Sequence, residues 1–402
     1  MTTGEVIRRV RRSIGMTQAE LGAILGYTQP AISQMEHDGS AVNDVRVLRR
    51  VARALHIPLA ILVVDGEEEA DVKRREFFRA GAIGAGAAAV GATPAASETP
   101  GTLRVGASDV AALAESVEQI HGLDLVLGGD RLRGLAAGQV RYARQLLSIG
   151  SYSAAVGREL TGATAELMTA AGWVHYDSGH PDEAARYYTE AAQTATAADA
   201  GIAAAHALGN ASHLMVNRHG SRTTGDRLAV QYAQAATRAA QSHGGPKLRA
   251  LMALREAEAN GARGERGEMT KAISRAFRAY DSSRGYDPDW VYLPEAEMSG
   301  VSGKAHMRLG DHAAATADLE AAIASSAAWP RERASWQLHL AHNLMQSGDV
   351  AAACGRLTDT FATIADLASA RLQRRLGDLV TTVRPHSTVP EARTLLGLWA
   401  NR

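Results

Sequence analysis

No stretch of this 402-residue chain alternates β-branched or aromatic residues with polar ones for long enough to build a sheet, so the chain has to fold with helices. Alanine and glycine are abundant, whereas Phe, Trp and Tyr together make up 5% of the residues. Small side chains suit helices packed closely together, and the expected class is all-α. The length exceeds what one compact core holds, so two or more folding units are expected. Cys354 is the only cysteine, which excludes a disulfide framework and a cysteine-based metal site. That usage fits a reducing compartment, and a cytoplasmic location is expected.

The segment from Thr17 to Glu36 reads as two short helices around a tight turn. Thr17 and Glu20 form a capping box that opens the first helix. Gly26 can take the positive φ on which that helix ends, Thr28 caps the second helix, and Pro30 lies in its first turn. Leu21, Ile24 and Leu25, with Ala31, Ile32 and Met35, supply the apolar contacts that hold the pair at a steep angle. This is helix-turn-helix geometry.

The pattern Thr-Gln-x-x-Leu-x-x-x-x-Gly-x-x-Gln-x-x-Ile-Ser-x-x-Glu resembles the Cro/phage-repressor-like (XRE) family over residues 4–58. A preceding helix carries Arg8, Arg9, Arg11 and Arg12, and a fourth runs from Asp44 to Leu55. The resemblance implies a DNA-binding head over residues 1–65. It places Gln18 on a phosphate and Gln29, Ser33 and Gln34 on base edges in the major groove, with Thr28 and Arg12 beside them. Pro30 departs from the family, because many members carry a polar base-reading side chain there. Between residues 1 and 60, eight arginines stand against five carboxylates, an excess of +3 in a chain of zero formal charge. Phosphate attraction gives such an excess its use. One head contacts one half-site, so a homodimer on a near-palindromic double-stranded operator is expected.

Residues 66–107 read as a helix and flexible linker. Arg74-Arg75, Phe77, Phe78 and the Ala/Gly run after them imitate a twin-arginine export signal, but the run sits well inside the chain behind a DNA-binding head. It is also too short and too weakly apolar to span a bilayer, so no membrane association is expected.

From about Asp109 the chain becomes a series of helical hairpins, with residues 108–402 as the second domain. In residues 164–198, Gly172, His175, Gly179, Ala184, Tyr188 and Ala191 fall where a tetratricopeptide repeat places its small and aromatic packing residues. Asp182 and Glu183 open the second helix of that unit. Weaker turn signals recur at 146–152, Gly264, Gly310 and Gly348. The body resembles the TPR-containing sensor halves of bacterial regulators with an XRE head, most closely a class found in actinobacteria, through Ala171-Gly172-Trp173-Val174-His175-Tyr176-Asp177-Ser178-Gly179. The expected architecture is a helix-turn-helix bundle followed by a TPR-like α-solenoid. The resemblance implies control by a small molecule or short peptide.

In such a solenoid the first helix of each hairpin lines the concave groove. Copying the register of Gly172 along the chain puts Thr169, Trp173, Tyr176, Asp177, His206, Asn210, His213, Glu258 and Arg308 on the groove, together with Arg144, Lys304 and His342. Asn210 and Asn217 lie on one face with His213 between them, and their amides can both donate and accept. Trp and Tyr at this spacing also serve as packing between repeats. A second reading makes the body a protein-interaction adaptor whose helix-turn-helix only localises a partner protein to DNA. A third makes it a structural body without an effector.

Other chemistry has little support. His339 and His342 lack a third ligand within a helical turn, so no metal site is expected. No phosphate loop, nucleophile elbow or paired-carboxylate signature is present, and neither catalysis nor a cofactor is expected.

Overall fold

The computed structural model describes residues 2–62, 103–218, 225–282, 285–288, 291, 293–367 and 369–401. It divides into two compact units, Met1–Arg104 and Val105–Arg402. The expected linker helix with Phe77 and Phe78, and the arginine pair before it, lie outside the described residues. No helix among the described residues is long and apolar enough to cross a membrane.

The first unit is built from α1 (Thr3–Ser13), α2 (Gln18–Leu25), α3 (Gln29–Glu36) and α4 (Val45–Ala54). Capping boxes at Thr2/Glu5 and Thr17/Glu20 satisfy the free N–H groups at the starts of α1 and α2. Gly26 ends α2 at φ 71°. A Cβ on Gly22 would meet the Tyr27 carbonyl oxygen at 2.6 Å, so α2 and the turn close together only around a glycine. Val6, Ile7, Val10, Leu21, Leu25, Ile32, Met35, Leu48 and Val51 form the core. Two expectations need correction. Ile24 is 59% exposed, because the tight turn rotates it off the α2–α3 seam. Thr28 occupies the N-cap of α3, but its hydroxyl makes no capping hydrogen bond.

The second unit is a run of antiparallel helices. It comprises α5 (Ala107–Leu127), α6 (Arg133–Ile149), α7 (Ala154–Asp177), α8 (Pro181–Ala197), α9 (Gly201–Asn217), α10 (Gly225–His243) and α11 (Pro246–Arg263). It continues with α12 (Arg266–Tyr280), α13 (Glu295–Leu309), α14 (His312–Ser325), α15 (Pro330–Gln346), α16 (Val350–Asp366), α17 (Ala370–Val383) and α18 (Pro390–Ala400). From α7 the helices pair as hairpins and stack side by side, an α-solenoid. Gly179, Gly264, Gly310 and Gly348 have positive φ in the inter-helix turns, where the sequence places its turn signals. Gly172 packs against the Tyr188 ring so closely that a Cβ would sit 2.5 Å from it. The outer helices bury alanine stripes such as Ala184, Ala191 and Ala195.

The first helix of each hairpin lies on the inner side, and α7, α9, α11, α13 and α15 follow one another along it. The run then curls back on itself. Arg331 at the start of α15 donates to the Asp124 carboxylate on α5 at 2.8 Å, across 207 residues. Just before and within α17, Ser369 and Arg371 donate to Asp177 at the end of α7 at 2.9 and 3.0 Å. The inner surface of the solenoid therefore surrounds a cavity.

Candidate functional site

Two surfaces carry chemistry, one on each unit. On the first, Gln29, Pro30 and Gln34 are exposed along α3, Ser33 is half-buried, and Thr28 and Arg12 are exposed nearby. Gln29 is held in place. Its Nε2 donates to Oε1 of Gln18 at 2.5 Å, and Gln18 Nε2 donates to the Glu36 carboxylate at 2.8 Å. Arg11 closes the chain through two bonds to Glu36, at 2.5 and 3.0 Å. Burial opposes ionisation of Glu36, but Arg11 and Gln18 outweigh it and hold the carboxyl below its usual range. Gln18, expected on a phosphate, is thus tied to Glu36 and orients Gln29. Arg11 and Glu36 are both buried, so the pair drops out of the surface charge and the seven remaining arginines and four remaining carboxylates keep the excess at +3.

In the second unit the cavity has a volume of about 550 Å³. Seven of the residues expected there line it: Thr169, Trp173, Tyr176, His206, Asn210, His213 and Asn217. Lys304 does too. Trp173 and Tyr176 meet edge to face at 5.8 Å, and Arg371 lies over both rings at 5.7 and 5.6 Å. Trp173 is not a plain apolar wall, because its Nε1 donates to Asp124 at 3.0 Å.

Three expected groove residues need correction. Asp177 is fully buried and takes bonds from Ser369, Arg371 and the Gly129 amide, so it holds the ring closed and has no face for a ligand. Burial opposes its ionisation, yet Arg331 and Arg371 keep its carboxyl below the usual range. Glu258 is also fully buried, with Lys304 Nζ at 2.6 Å and His213 Nδ1 at 3.0 Å. Arg308 stands behind the wall, where its NH2 donates to Asn217 Oδ1 at 2.8 Å. In each case the helical register places the residue inward, but an internal partner engages its charged end. Of the further inward positions, Arg144 pairs with Glu190 on the outer surface instead. His342 accepts from Arg375, as does His339.

Sequence reasoning missed His121, Trp336, Arg371, Arg374 and Arg375, all on the cavity wall. The spacing of Arg371, Arg374 and Arg375, with the buried Leu372 and Leu376 on the opposite face, puts three cations on one side of α17 and was a readable signal. Several wall groups lack a partner: Asp124 Oδ1, His121 Nε2, Trp336 Nε1 and Arg375 Nε are buried without a hydrogen bond. His121 and His213 are neutral. Burial pushes His121 down to about 3, and burial with the neighbouring Arg255 does the same to His213. The wall can thus donate, accept and stack.

Compared with known families, residues 7–62 match the family model described as Helix-turn-helix. The match runs from within α1 to the end of the first unit's core and covers none of the solenoid. It identifies the head as an XRE-type helix-turn-helix domain, the module of DNA-binding transcription regulators. No curated protein matches the chain.

Proposed function

We propose that this protein is a sequence-specific regulator of transcription whose operator binding is set by a small molecule or short peptide held in the body cavity. The observation that carries the reading is the cavity itself. Its volume of about 550 Å³ falls inside the range of roughly 300–1,000 Å³ typical of small-ligand sites. Unpartnered buried polar atoms on its wall are costly until something supplies their hydrogen bonds. A folded partner protein fits this geometry poorly, because the concave face is curled into an enclosure that the Asp124–Arg331 and Asp177–Arg371 pairs hold shut. The adaptor reading therefore has less support than the effector reading.

On the DNA side, α3 enters the major groove with Gln29 and Gln34 as base readers, and two copies of the chain occupy the half-sites of a near-palindrome. The test begins with an operator selected from genomic fragments by the full-length protein. A cell extract divided at about 1 kDa, the scale of ligands such a cavity holds, is then titrated against the protein–operator complex. The low-mass fraction is expected to shift the binding curve. A shift from the macromolecular fraction alone would transfer the reading to the adaptor.

A further inference from the structure

One part of the cavity wall, where α11, α13 and α17 converge, holds more positive charge than its carboxylates balance. Arg255, Lys304 and Arg308 turn to a single carboxylate, Glu258, at 3.6, 2.6 and 3.6 Å. Arg375 turns to two imidazoles: its NH2 donates to His339 and His342 at 2.9 and 3.2 Å, both through their Nδ1 atoms. Asp378, one turn further along α17, offsets only part of that charge. Glu258 is satisfied by this arrangement and is held well below the usual carboxylate range, against the effect of burial, by Lys304 and His213. The cations are not satisfied. Burial, with Arg308 beside it, pushes Arg375 down to about 10, and burial pushes Lys304 down to about 8 despite Glu258.

The unmet hydrogen bonds in this region have the same sense. Arg375 Nε, on the cavity wall, is a buried donor without an acceptor. So is the indole N–H of Trp336, a residue 5% exposed whose ring lies 5.9 Å from His339. Any occupant that completes this region must bring acceptors and negative charge. The opposite holds two helical turns away. Glu297 precedes Lys304 by seven residues on α13, and Glu332 precedes His339 by seven on α15, each about 10 Å along its helix. Both carboxylates line the cavity, so a ligand charged negatively along its whole length is disfavoured.

We propose that the cavity seats an organic anion with its charge at one end, a phosphate or carboxylate held by Arg375 and Lys304 while its body lies against Trp173, Tyr176 and Trp336. A guanidinium with a free edge suits the bidentate geometry of either group. This rests on the cavity being the effector site. The probe is sodium pyrophosphate, titrated into the full-length protein at constant ionic strength against sodium chloride, with thermal melting as the readout.

Pyrophosphate is expected to raise Tm by about 3 °C or more, as mass action on a folded-state site requires. Arg375→Gln is expected to lose that rise while melting no lower than wild type without ligand, because it removes a cation that its surroundings disfavour. Arg375→Lys, which keeps the charge but loses the guanidinium fork, is expected to keep only part of the rise and gives a second reading should the first variant fold poorly. No rise beyond the salt control, or an undiminished rise in both variants, overturns the proposal. The active low-mass fraction, passed over an anion-exchange resin, separates this claim from the one beneath it. Retention is expected. Activity in the unbound flow-through overturns the anion seat and leaves ligand control standing, whereas no active low-mass fraction ends ligand control and leaves the melting result to decide the seat.

Discussion

Glu36 is 2% exposed, yet it sets the geometry of the exposed surface beside it, because Gln18 bridges its carboxylate to Gln29. A side chain held this way loses less conformational freedom when it meets a base edge. Replacing Gln29 or Gln34 by Ala is expected to relax selectivity at particular base pairs by about 1–3 kcal/mol for each bidentate pair of hydrogen bonds removed, while salt-dependent nonspecific affinity persists. Fluorescence anisotropy on single-base operator variants measures this, and undiminished selectivity in both variants would remove them as readers. Gln18→Ala is expected to disturb the same base pair as Gln29→Ala. The exposed polar residues of α3 were legible in the sequence because a helix-turn-helix is built from near neighbours. The role of Gln18 was not, since it depends on how α1 and α3 bring Arg11 and Glu36 together. The same limit applies to Asp177 and Glu258, where helical spacing shows which way a residue faces but not what meets it.

At the scale of elements, the hairpins were legible and the closure was not. Glycines recur at the turns and at close helix contacts, as at Gly172 against Tyr188 and Gly261 against Ala305, so periodicity reveals them. The pairs that bring α15 to α5 and α17 to α7 join residues about 200 positions apart and leave no periodic trace. Asp177 carries the second of these pairs. Asp177→Ala is expected to destabilise the body by about 3–5 kcal/mol, because it strands a partly buried Arg371 without its carboxylate. Chemical denaturation at pH 7 checks it, and a destabilisation under about 1 kcal/mol would show that the ring closes without this ion pair. The sign of the pH dependence follows from its depressed folded-state pKa. The contribution of Asp177 is complete above the ordinary carboxylate value of 3.8 and fades as pH falls through the lower folded value, so the gap between wild type and variant should narrow only in strong acid.

The whole molecule joins a DNA-binding head to a solenoid that encloses a cavity, and regulation requires that occupancy of one alter the affinity of the other. Such coupling is reciprocal and typically spans about 5- to 150-fold in affinity. Ser335 lies on the cavity wall and is only partly buried, so Ser335→Trp adds a large ring inside the cavity without removing a charge from its network. The decisive measurement is the operator Kd of wild type and Ser335→Trp, each with and without the active low-mass fraction. The expected result is a shift of about 5-fold or more in wild type and none in the variant. An equal shift in both proteins would place the effector elsewhere and contradict the cavity as the regulatory site.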